Sequence, residues 1–146
     1  MFKTDPVYFV YKLNNRLYKI GLRFIPFIIR GLMRIVFACD IDPRTKIGKG
    51  TVFPHYALGV VIGRDAIIGE NCHIGQNVTI GGRSGHAELP QIGNNVLIGC
   101  GACVLGPIKI GNNVKIGAGA VVIKNVPANC IAVGVPAKIT ETNKLL

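Results

Sequence analysis

The stretch IGNNVKIGAGAVVI, residues 110–123, decides the fold, because its Ile-Gly pair returns after six residues. On an α-helix a step of six residues is about 600°, so the isoleucines would define no face. On a strand they all point to one side, but a glycine every six residues would weaken a long strand. The period therefore predicts short strands that are broken at regular intervals.

The same six-residue unit, or hexad, covers most of the chain. Its first position is Ile, Val or Phe at residues 41, 47 and 53, at 62, 68, 74 and 80, and at every sixth residue from 92 to 122. The second position is mostly glycine, and the fifth is small or β-branched at Thr45, Thr51, Ala66, Cys72, Val78, Val96, Ala102, Val114, Ala120 and Val126. Three hexads, about 18 residues, make one flat-sided turn of a solenoid in which glycine permits the corners. The sequence predicts a mainly β protein built as a parallel β-helix.

Five segments carry a resemblance to a known family: CDIDPRTKIGKG (39–50), GVVIG (59–63), NVTIGG (77–82), IGCGACVLGPIKIGNNVKIGAGAVVIKNVP (98–127) and VGVPAKI (133–139). The chain resembles the hexapeptide-repeat acyltransferases, most closely the serine acetyltransferase branch and its polysaccharide O-acetyltransferase relatives. The resemblance implies a left-handed coil, although parallel crossovers are generally right-handed. It also implies a homotrimer. We expect a helical segment at 1–39, a β-helix domain at 40–139 with a loop at 82–91, and a tail at 140–146.

Composition limits the alternatives. A chain of 146 residues is one domain by length, and 16% charged against 49% hydrophobic residues is low in charge, which favours an oligomer. The five cysteines, at 39, 72, 100, 103 and 130, are odd in number and show no disulfide pattern, which predicts a cytoplasmic protein. CGAC (100–103) fits C-x-x-C, but it lies inside one hexad and has no second pair. We therefore expect no metal and no redox site there.

The segment 1–39 differs from the rest, because it holds seven Lys or Arg and one Asp, a charge of +6 out of the net +10. Six of these cations fall within about 60° of a helix: Lys12, Arg16, Lys19, Arg23, Arg30 and Arg34. No uncharged run reaches the about 18 to 20 apolar residues of a membrane span or forms a signal peptide. We expect two amphipathic helices divided near Pro26. Their apolar faces pack on the β-helix or on neighbouring subunits, or they contact an anionic membrane peripherally at the inner leaflet.

His55 is the candidate general base. An acyltransferase that uses a thioester needs a group to take the proton of the acceptor hydroxyl, and histidine suits this near neutral pH. His55 lies where three extra residues interrupt the repeat. The resemblance matches it to the catalytic histidine of the family, and it matches Asp40 to the carboxylate that orients this base.

The resemblance also assigns the cofactor and substrate positions. It places the pantetheine arm of acetyl-CoA in a groove between subunits, against backbone at Gly81, Gly82, Cys100 and Ala118. Lys124 and Lys138 are candidates for its phosphates. The segment between Ile80 and Ile92 lacks strand character and forms a loop, where Arg83 or His86 is expected to bind the substrate.

Two departures from the serine acetyltransferases bear on the acceptor. That branch has an aspartate before the catalytic histidine and Arg-His-Pro in the loop, whereas this chain has Pro54 and AELPQ (87–91). A free amino acid needs complementary charges, so the leading expectation is acetyl transfer to a sugar hydroxyl of a capsular, exopolysaccharide or lipopolysaccharide precursor. Serine O-acetyltransferase activity is the alternative. A zinc site of the γ-carbonic anhydrase type and a nucleic-acid interface, suggested by a pI of 9.7, are weaker candidates.

Overall fold

The structure is a computed structural model that describes residues 5–141. It begins with two helices, α1 at Pro6–Lys19 and α2 at Phe24–Val36. The strands that follow in this range are β1 Asp40–Ile41, β2 Lys46–Ile47, β3 Val61–Ile62, β4 Ile67–Ile68, β5 His73–Ile74, β6 Thr79–Gly81, β7 Gln91–Ile92, β8 Leu97–Ile98, β9 Cys103–Leu105, β10 Lys109–Ile110, β11 Lys115–Ile116, β12 Val121–Val122, β13 Cys130–Val133 and β14 Lys138–Glu141. β14 includes the first two residues of the predicted tail, and residues 142–146 lie outside the described range.

The strands form the three faces of a parallel β-helix. The first face has the order β1-β3-β6-β9-β12, the second β2-β4-β7-β10, and the third β5-β8-β11-β13, where β14 pairs antiparallel with β13. Val61 pairs with Thr79, and Cys103 pairs with Val121, so positions three hexads apart are in register. The predicted fold is confirmed.

Two turns of the coil are longer than the others. Asp40 pairs with Val61 rather than with Leu58, and the extra residues form the His55 turn. Thr79 pairs with Cys103 rather than with Leu97, and the extra residues form the loop that follows β6. We call the edge where the chain passes from the first to the second face the first corner, and the edge from the third to the first face the third corner. The loop lies at the first corner, and the His55 turn lies at the third.

The core follows the predicted hexad positions. First-position residues from Ile62 to Val122 and the fifth-position residues are all buried. The hydroxyl groups of two fifth-position threonines form hydrogen bonds to the next coil. Thr45 Oγ1 donates to the Gly63 carbonyl, and Thr51 Oγ1 donates to the Gly69 carbonyl. A buried hydroxyl without a partner would be costly. Successive coils are therefore joined by side chains as well as by strand pairing.

The second-position glycines are not the residues that form the corners, contrary to the expectation from the sequence. Left-handed backbone occurs at the fourth position of the hexad, at Gly50, Asp65, Asn71, Asn77, Asn95, Gly101, Asn113 and Gly119, and at Asn129, which strand register makes equivalent to Asn113. The second-position glycines serve close packing instead: a Cβ on Gly99 would lie 2.5 Å from the backbone nitrogen of Ala118 in the next coil. Glycine, asparagine and aspartate tolerate the left-handed region best, which explains the fourth position.

Polar bonds hold α1 against the first coil. The Asp5 carboxylate caps α1 at the Tyr8 N–H and also accepts from the Phe53 N–H, which begins the His55 turn. The buried Tyr11 hydroxyl donates to the Thr45 carbonyl at 2.7 Å. The helices separate at residues 20–23, where Gly21 has a φ of 92°, rather than at Pro26, which lies in the first turn of α2. Within residues 5–141, neither helix is long and apolar enough to cross a bilayer.

Candidate active site

His55 lies on a left-handed turn. The turn spans Pro54–Ala57, and His55, Tyr56 and Ala57 have φ values of 56°, 57° and 57°. Each non-glycine residue in this region costs about 1–2 kcal/mol, so the surrounding structure must hold the turn in place. Ala57 is buried, and the Tyr56 ring stacks on Phe37 with centroids 6.3 Å apart. Strain of this kind is concentrated at functional sites.

The turn displays the His55 imidazole at an open cavity. The cavity has a volume of about 380 Å³ and is lined by Ile35, Val36, Phe37, Ala38, His55, Tyr56 and Leu58. His55 is exposed, and within residues 5–141 its ring makes no hydrogen bond. An imidazole with a free ring nitrogen at a cavity is able to accept the proton of a bound hydroxyl. The C-terminal end of α2 forms the apolar wall of this cavity.

The Asp40 carboxylate bonds to two arginines of α2 rather than to His55. Arg30 Nε donates to one oxygen and Arg34 donates to the other, both at 2.5 Å. Burial raises the pKa of Asp40, and the hydrogen bonds from Arg30 and Arg34 more than reverse this effect, so the pKa lies below its ordinary value. The orienting role of Asp40 stays a prediction, and in this structure the carboxylate anchors α2 beside the His55 turn.

Asp42 forms the second half of this charge cluster, which the sequence interpretation missed. It is 2% exposed and accepts bonds from Arg30 and from the side chain and backbone N–H of Arg44. Burial raises the pKa of Asp42, but the bonds from Arg44 and the charge of Arg30 lower it by more, so its pKa also lies below its ordinary value. Charged residues at every second position, Asp40, Asp42 and Arg44, were the available signal. The local sequence does not show that the two aspartates pair with a helix earlier in the chain.

The third corner brings His55 into line with two of the predicted cofactor residues. Backbone bonds stack this corner from coil to coil: they run from Asn77 to the Leu58 carbonyl, from Gly101 to that of Gln76, and from Gly119 to that of Cys100. Coils are about 4.8 Å apart, so the His55 turn and the Ala118 corner are about 14 Å apart along the axis. The third corner of the β-helix therefore carries three of the predicted site residues along one edge: His55, Cys100 and Ala118.

The other predicted cofactor residues lie away from this edge. Gly81 ends β6, so Gly81 and Gly82 are at the first corner, across the first face from His55. Lys124 and residues 136, 137 and 139 line a small cavity of about 60 Å³, and the exposed Lys138 belongs to the same flanking strand. Both lysines are therefore at the far end of the coil, but Lys138 does not line the cavity that Lys124 lines.

The loop after β6 folds back on the coil. Leu89 packs against Gly63 and Gly82, since a Cβ on either glycine would lie 2.7 Å or 3.4 Å from its methyl groups. The stem of Arg83 packs on Gly106 in the next coil, and the His86 N–H donates to the Arg83 carbonyl at 3.0 Å. Arg83 and His86 are exposed at the first corner, so within one chain the first face separates them from His55.

The two cysteines of the CGAC motif lie in different environments. Cys100 is exposed at the third corner, whereas Cys103 lies half-buried in β9. Across residues 5–141, no three His, Cys, Asp or Glu side chains converge.

Comparisons with known proteins match the repeat region and nearly the whole chain. Residues 90–124 match the family described as bacterial transferase hexapeptide (six repeats), and residues 65–86 match the hexapeptide repeat of succinyl-transferase. Serine acetyltransferase 1 of Arabidopsis thaliana, a chloroplastic protein, is 45% identical over 132 residues, which are 88% of this chain and 41% of that protein. The chain spans about half the length of the relatives that it matches.

Solved structures agree. The serine acetyltransferase of Neisseria gonorrhoeae in complex with serine superposes with a TM-score of 0.87 at 40% identity, over 92% of this chain and 55% of that one. A serine acetyltransferase in complex with CoA gives a TM-score of 0.85 at 35% identity, over 92% and 55% of the two chains. A mirror-image coil would not superpose in this way, so the match extends to the hand of the β-helix.

The prediction of a glycan acceptor is wrong. It relied on Pro54 and the AELPQ segment, whereas the relatives with 40–45% identity over most of the chain are serine acetyltransferases, the alternative considered above. Two local differences remove charges that would hold an amino acid, but the similarity extends over 88% of the chain in sequence and 92% in structure. The chain therefore carries a hexapeptide-repeat transferase domain of the serine acetyltransferase-like branch.

Proposed function

We propose that this chain transfers the acetyl group of acetyl-CoA to the hydroxyl of serine. The observation that carries the proposal is the 40% identity and TM-score of 0.87 to a serine acetyltransferase structure that contains serine. The similar structure that contains CoA supports acetyl-CoA as the donor. The exposed His55 on its strained turn supplies a base, which such a reaction requires.

The proposed reaction is direct transfer. The serine hydroxyl oxygen attacks the thioester carbonyl while His55 takes the hydroxyl proton. The tetrahedral intermediate collapses, its bond to sulfur breaks, and the CoA thiolate leaves and receives that proton. Backbone N–H groups near Gly82 are proposed to stabilise the oxyanion. No covalent acyl-enzyme and no metal are needed for these steps.

A homotrimer is part of the proposal. Gly82, Arg83 and His86 are at the first corner, and His55 is at the third, so one chain cannot bring both groups to one substrate. In a three-fold assembly the first corner of one subunit would meet the third corner of its neighbour. The acetyl-CoA groove would then lie between two chains, with Cys100 and Ala118 on one side and Gly81 and Gly82 on the other.

Serine carries a carboxylate and an ammonium group, each of which needs a complementary partner. Pro54 removes one acidic candidate beside His55. Arg83 is exposed on the loop, and its guanidinium makes no ion pair within residues 5–141, so it is free to bind the carboxylate. We assign the carboxylate to Arg83 and keep His86 as a second loop residue near the substrate.

The test is acetyl transfer with purified protein, acetyl-CoA and L-serine. Because Cys100 is exposed and its thiol can react with thiol reagents, the loss of thioester absorbance and the mass of O-acetylserine are better readouts than thiol release. Serine methyl ester and N-acetylserine, which lack one charge each, serve as matched acceptors. Turnover with serine and much slower turnover with both analogues is the expected result; equal turnover with all three would overturn recognition of the free amino acid.

A further inference from the structure

The outward face of α2 is apolar and uncovered. Seven large side chains on it are between 42% and 81% exposed: Phe24, Ile25, Phe27, Ile28, Leu32, Ile35 and Val36. At 100° per residue they cover about half of the helix circumference, opposite the buried Pro26 and Met33. An exposed large apolar side chain offers on the order of 100 Å² of surface, so this face exceeds the few hundred Å² usual for a soluble monomer. Such a face is an interaction surface.

The outward side of α1 combines apolar and basic side chains. Lys12, Arg16 and Lys19 lie within about 60° of the helix. They share a groove of about 590 Å³ with Phe9 and Leu13. Residues 6–39 contain no Asp or Glu. The groove therefore suits a ligand that is both apolar and anionic.

The structure divides the basic stripe into two parts. Arg30 and Arg34 are paired with Asp40 and Asp42, so they belong to the protein's own charge cluster. The remaining four cations are exposed and form no ion pair within residues 5–141: Lys12, Arg16, Lys19 and Arg23. These four are available to an external anion.

We propose that the two helices bind the surface of an anionic lipid membrane, with the α2 face among the acyl chains and the free cations at the headgroups. At 14 and 13 residues the helices are too short to span a bilayer, and helices with this charge and apolar pattern lie in the interface plane. A second copy of the chain is the poorer occupant, because both copies would bring a segment with free cations and no acidic residue to the contact. The apolar wall of the His55 cavity continues this face, so the active site is next to the membrane.

Co-sedimentation tests the proposal with the chain of 146 residues. The probes are vesicles of phosphatidylglycerol with phosphatidylcholine, compared with vesicles of phosphatidylcholine alone. Binding is expected with the anionic vesicles and is expected to fall when salt is raised to about 1 M, where the Debye length is about 3 Å. Lys12→Glu with Arg16→Glu should weaken partitioning by about 30-fold or more, because each cation near the surface contributes about fivefold. The matched control is Lys109→Glu with Lys115→Glu on the β-helix, which should change it much less.

The apolar face is tested by Phe24→Glu with Ile28→Glu, two exposed positions outside the His55 cavity. Loss of vesicle binding with unchanged oligomer mass, measured by light scattering, supports the proposal. Equal recovery of the wild-type protein with both vesicle types would overturn it. So would a lower oligomer mass of the Phe24/Ile28 variant with vesicle binding intact, because the face would then be an interface between copies of the chain. Circular dichroism of each variant establishes that it is folded.

Discussion

The Arg30 guanidinium donates from Nε to the carboxylate of Asp40, and this bond fixes α2 against the first strand of the β-helix. The same guanidinium reaches the buried Asp42 at 2.8 Å. A residue predicted to act in catalysis is thereby part of the structure that holds the N-terminal helices. Asp40 lies close in sequence to Ala38, which lines the His55 cavity, so the charge cluster and the candidate site share one segment of chain.

Asp42→Asn should lower the free energy of unfolding by about 1.5–3 kcal/mol, because two arginines lose a charged partner in a buried position. Urea unfolding measures the change. Since Asp42 has a lowered pKa in the folded state, its contribution is present above the ordinary pKa of about 4 and disappears as the pH falls through the folded value. Asp65→Asn, at an exposed pair with Arg64, is the matched control and should change stability by less than about 1 kcal/mol. Equal losses in the free energy of unfolding at both positions would show that the buried charge cluster stabilises the fold no more than an exposed ion pair does.

His55→Asn should lower kcat for acetyl transfer by about 10² to 10⁴ while leaving acetyl-CoA affinity nearly unchanged. Asparagine is chosen because it tolerates the left-handed backbone at residue 55, so the turn is retained when the base is removed. His73→Asn on the third face is the control and should retain activity. Steady-state kinetics and calorimetric titration with CoA are the measurements; a His55→Asn enzyme with ordinary kcat would eliminate this residue as the base.

The inward positions of the hexads could be predicted from the sequence because a period of six keeps every first residue on the same side of a strand. The handedness of the coil could not be predicted from the repeat itself, because only the resemblance to a known family implied it. The left-handed turn at His55, Tyr56 and Ala57 carries no local signal, because none of these residues is glycine or asparagine. The ion pairs of Arg30 could not be predicted from the sequence for another reason. The amphipathic pattern shows which side chains lie on the same face of a helix, but it does not show what that face contacts.

The fourth-position signal was present in the sequence and was missed. Asparagine, aspartate and glycine recur there, whereas the second-position glycines drew attention because they are more regular. Their roles differ physically: one set permits positive φ, and the other permits close approach of coils. This difference can be measured.

Gly99→Ala should destabilise the fold by about 1–3 kcal/mol or more, because the new Cβ would lie 2.5 Å from the backbone of Ala118 and would force two coils apart. Gly101 has a φ of 68° and open space around its Cβ position, so Gly101→Asn should cost less than about 1 kcal/mol. Thermal and urea unfolding of the two variants give the comparison. If Gly101→Asn were the more harmful change, the assignment of roles to the two positions would be reversed.

Arg83→Ala should raise KM for serine by about 10- to 100-fold with little change in kcat, because a guanidinium–carboxylate pair is lost on binding. Serine methyl ester supplies the internal control, since it has no carboxylate. Its KM should be the same for the wild-type protein and the variant. An equal rise in KM for both acceptors would mean that Arg83 supports the loop on Gly106 rather than binding the substrate.

Tyr11 should make the docking of α1 sensitive to alkaline pH. Burial raises the pKa of its hydroxyl from 10.0 to about 12, although the bond that it accepts from the Ile47 N–H acts in the opposite direction. Between these two values the unfolded chain loses the Tyr11 proton and the folded chain keeps it, so the free energy of unfolding should fall by up to about 1.4 kcal/mol per pH unit. The contribution is complete below pH 10.0 and is lost as the pH rises toward 12.

Tyr11→Phe isolates this effect. At neutral pH the variant should be about 1–3 kcal/mol less stable, because the half-buried Ile47 N–H and the buried Thr45 carbonyl both lose their bond to the Tyr11 hydroxyl. Above pH 10 the difference from the wild-type protein should shrink, because phenylalanine does not titrate. Cys39, whose pKa burial raises to about 11, will leave a residual slope in both proteins. Tyr56→Phe, at an exposed ring, is the control. If wild type and Tyr11→Phe differed by the same free energy of unfolding at every alkaline pH, ionisation of the Tyr11 hydroxyl would not weaken the contact of α1 with the first coil.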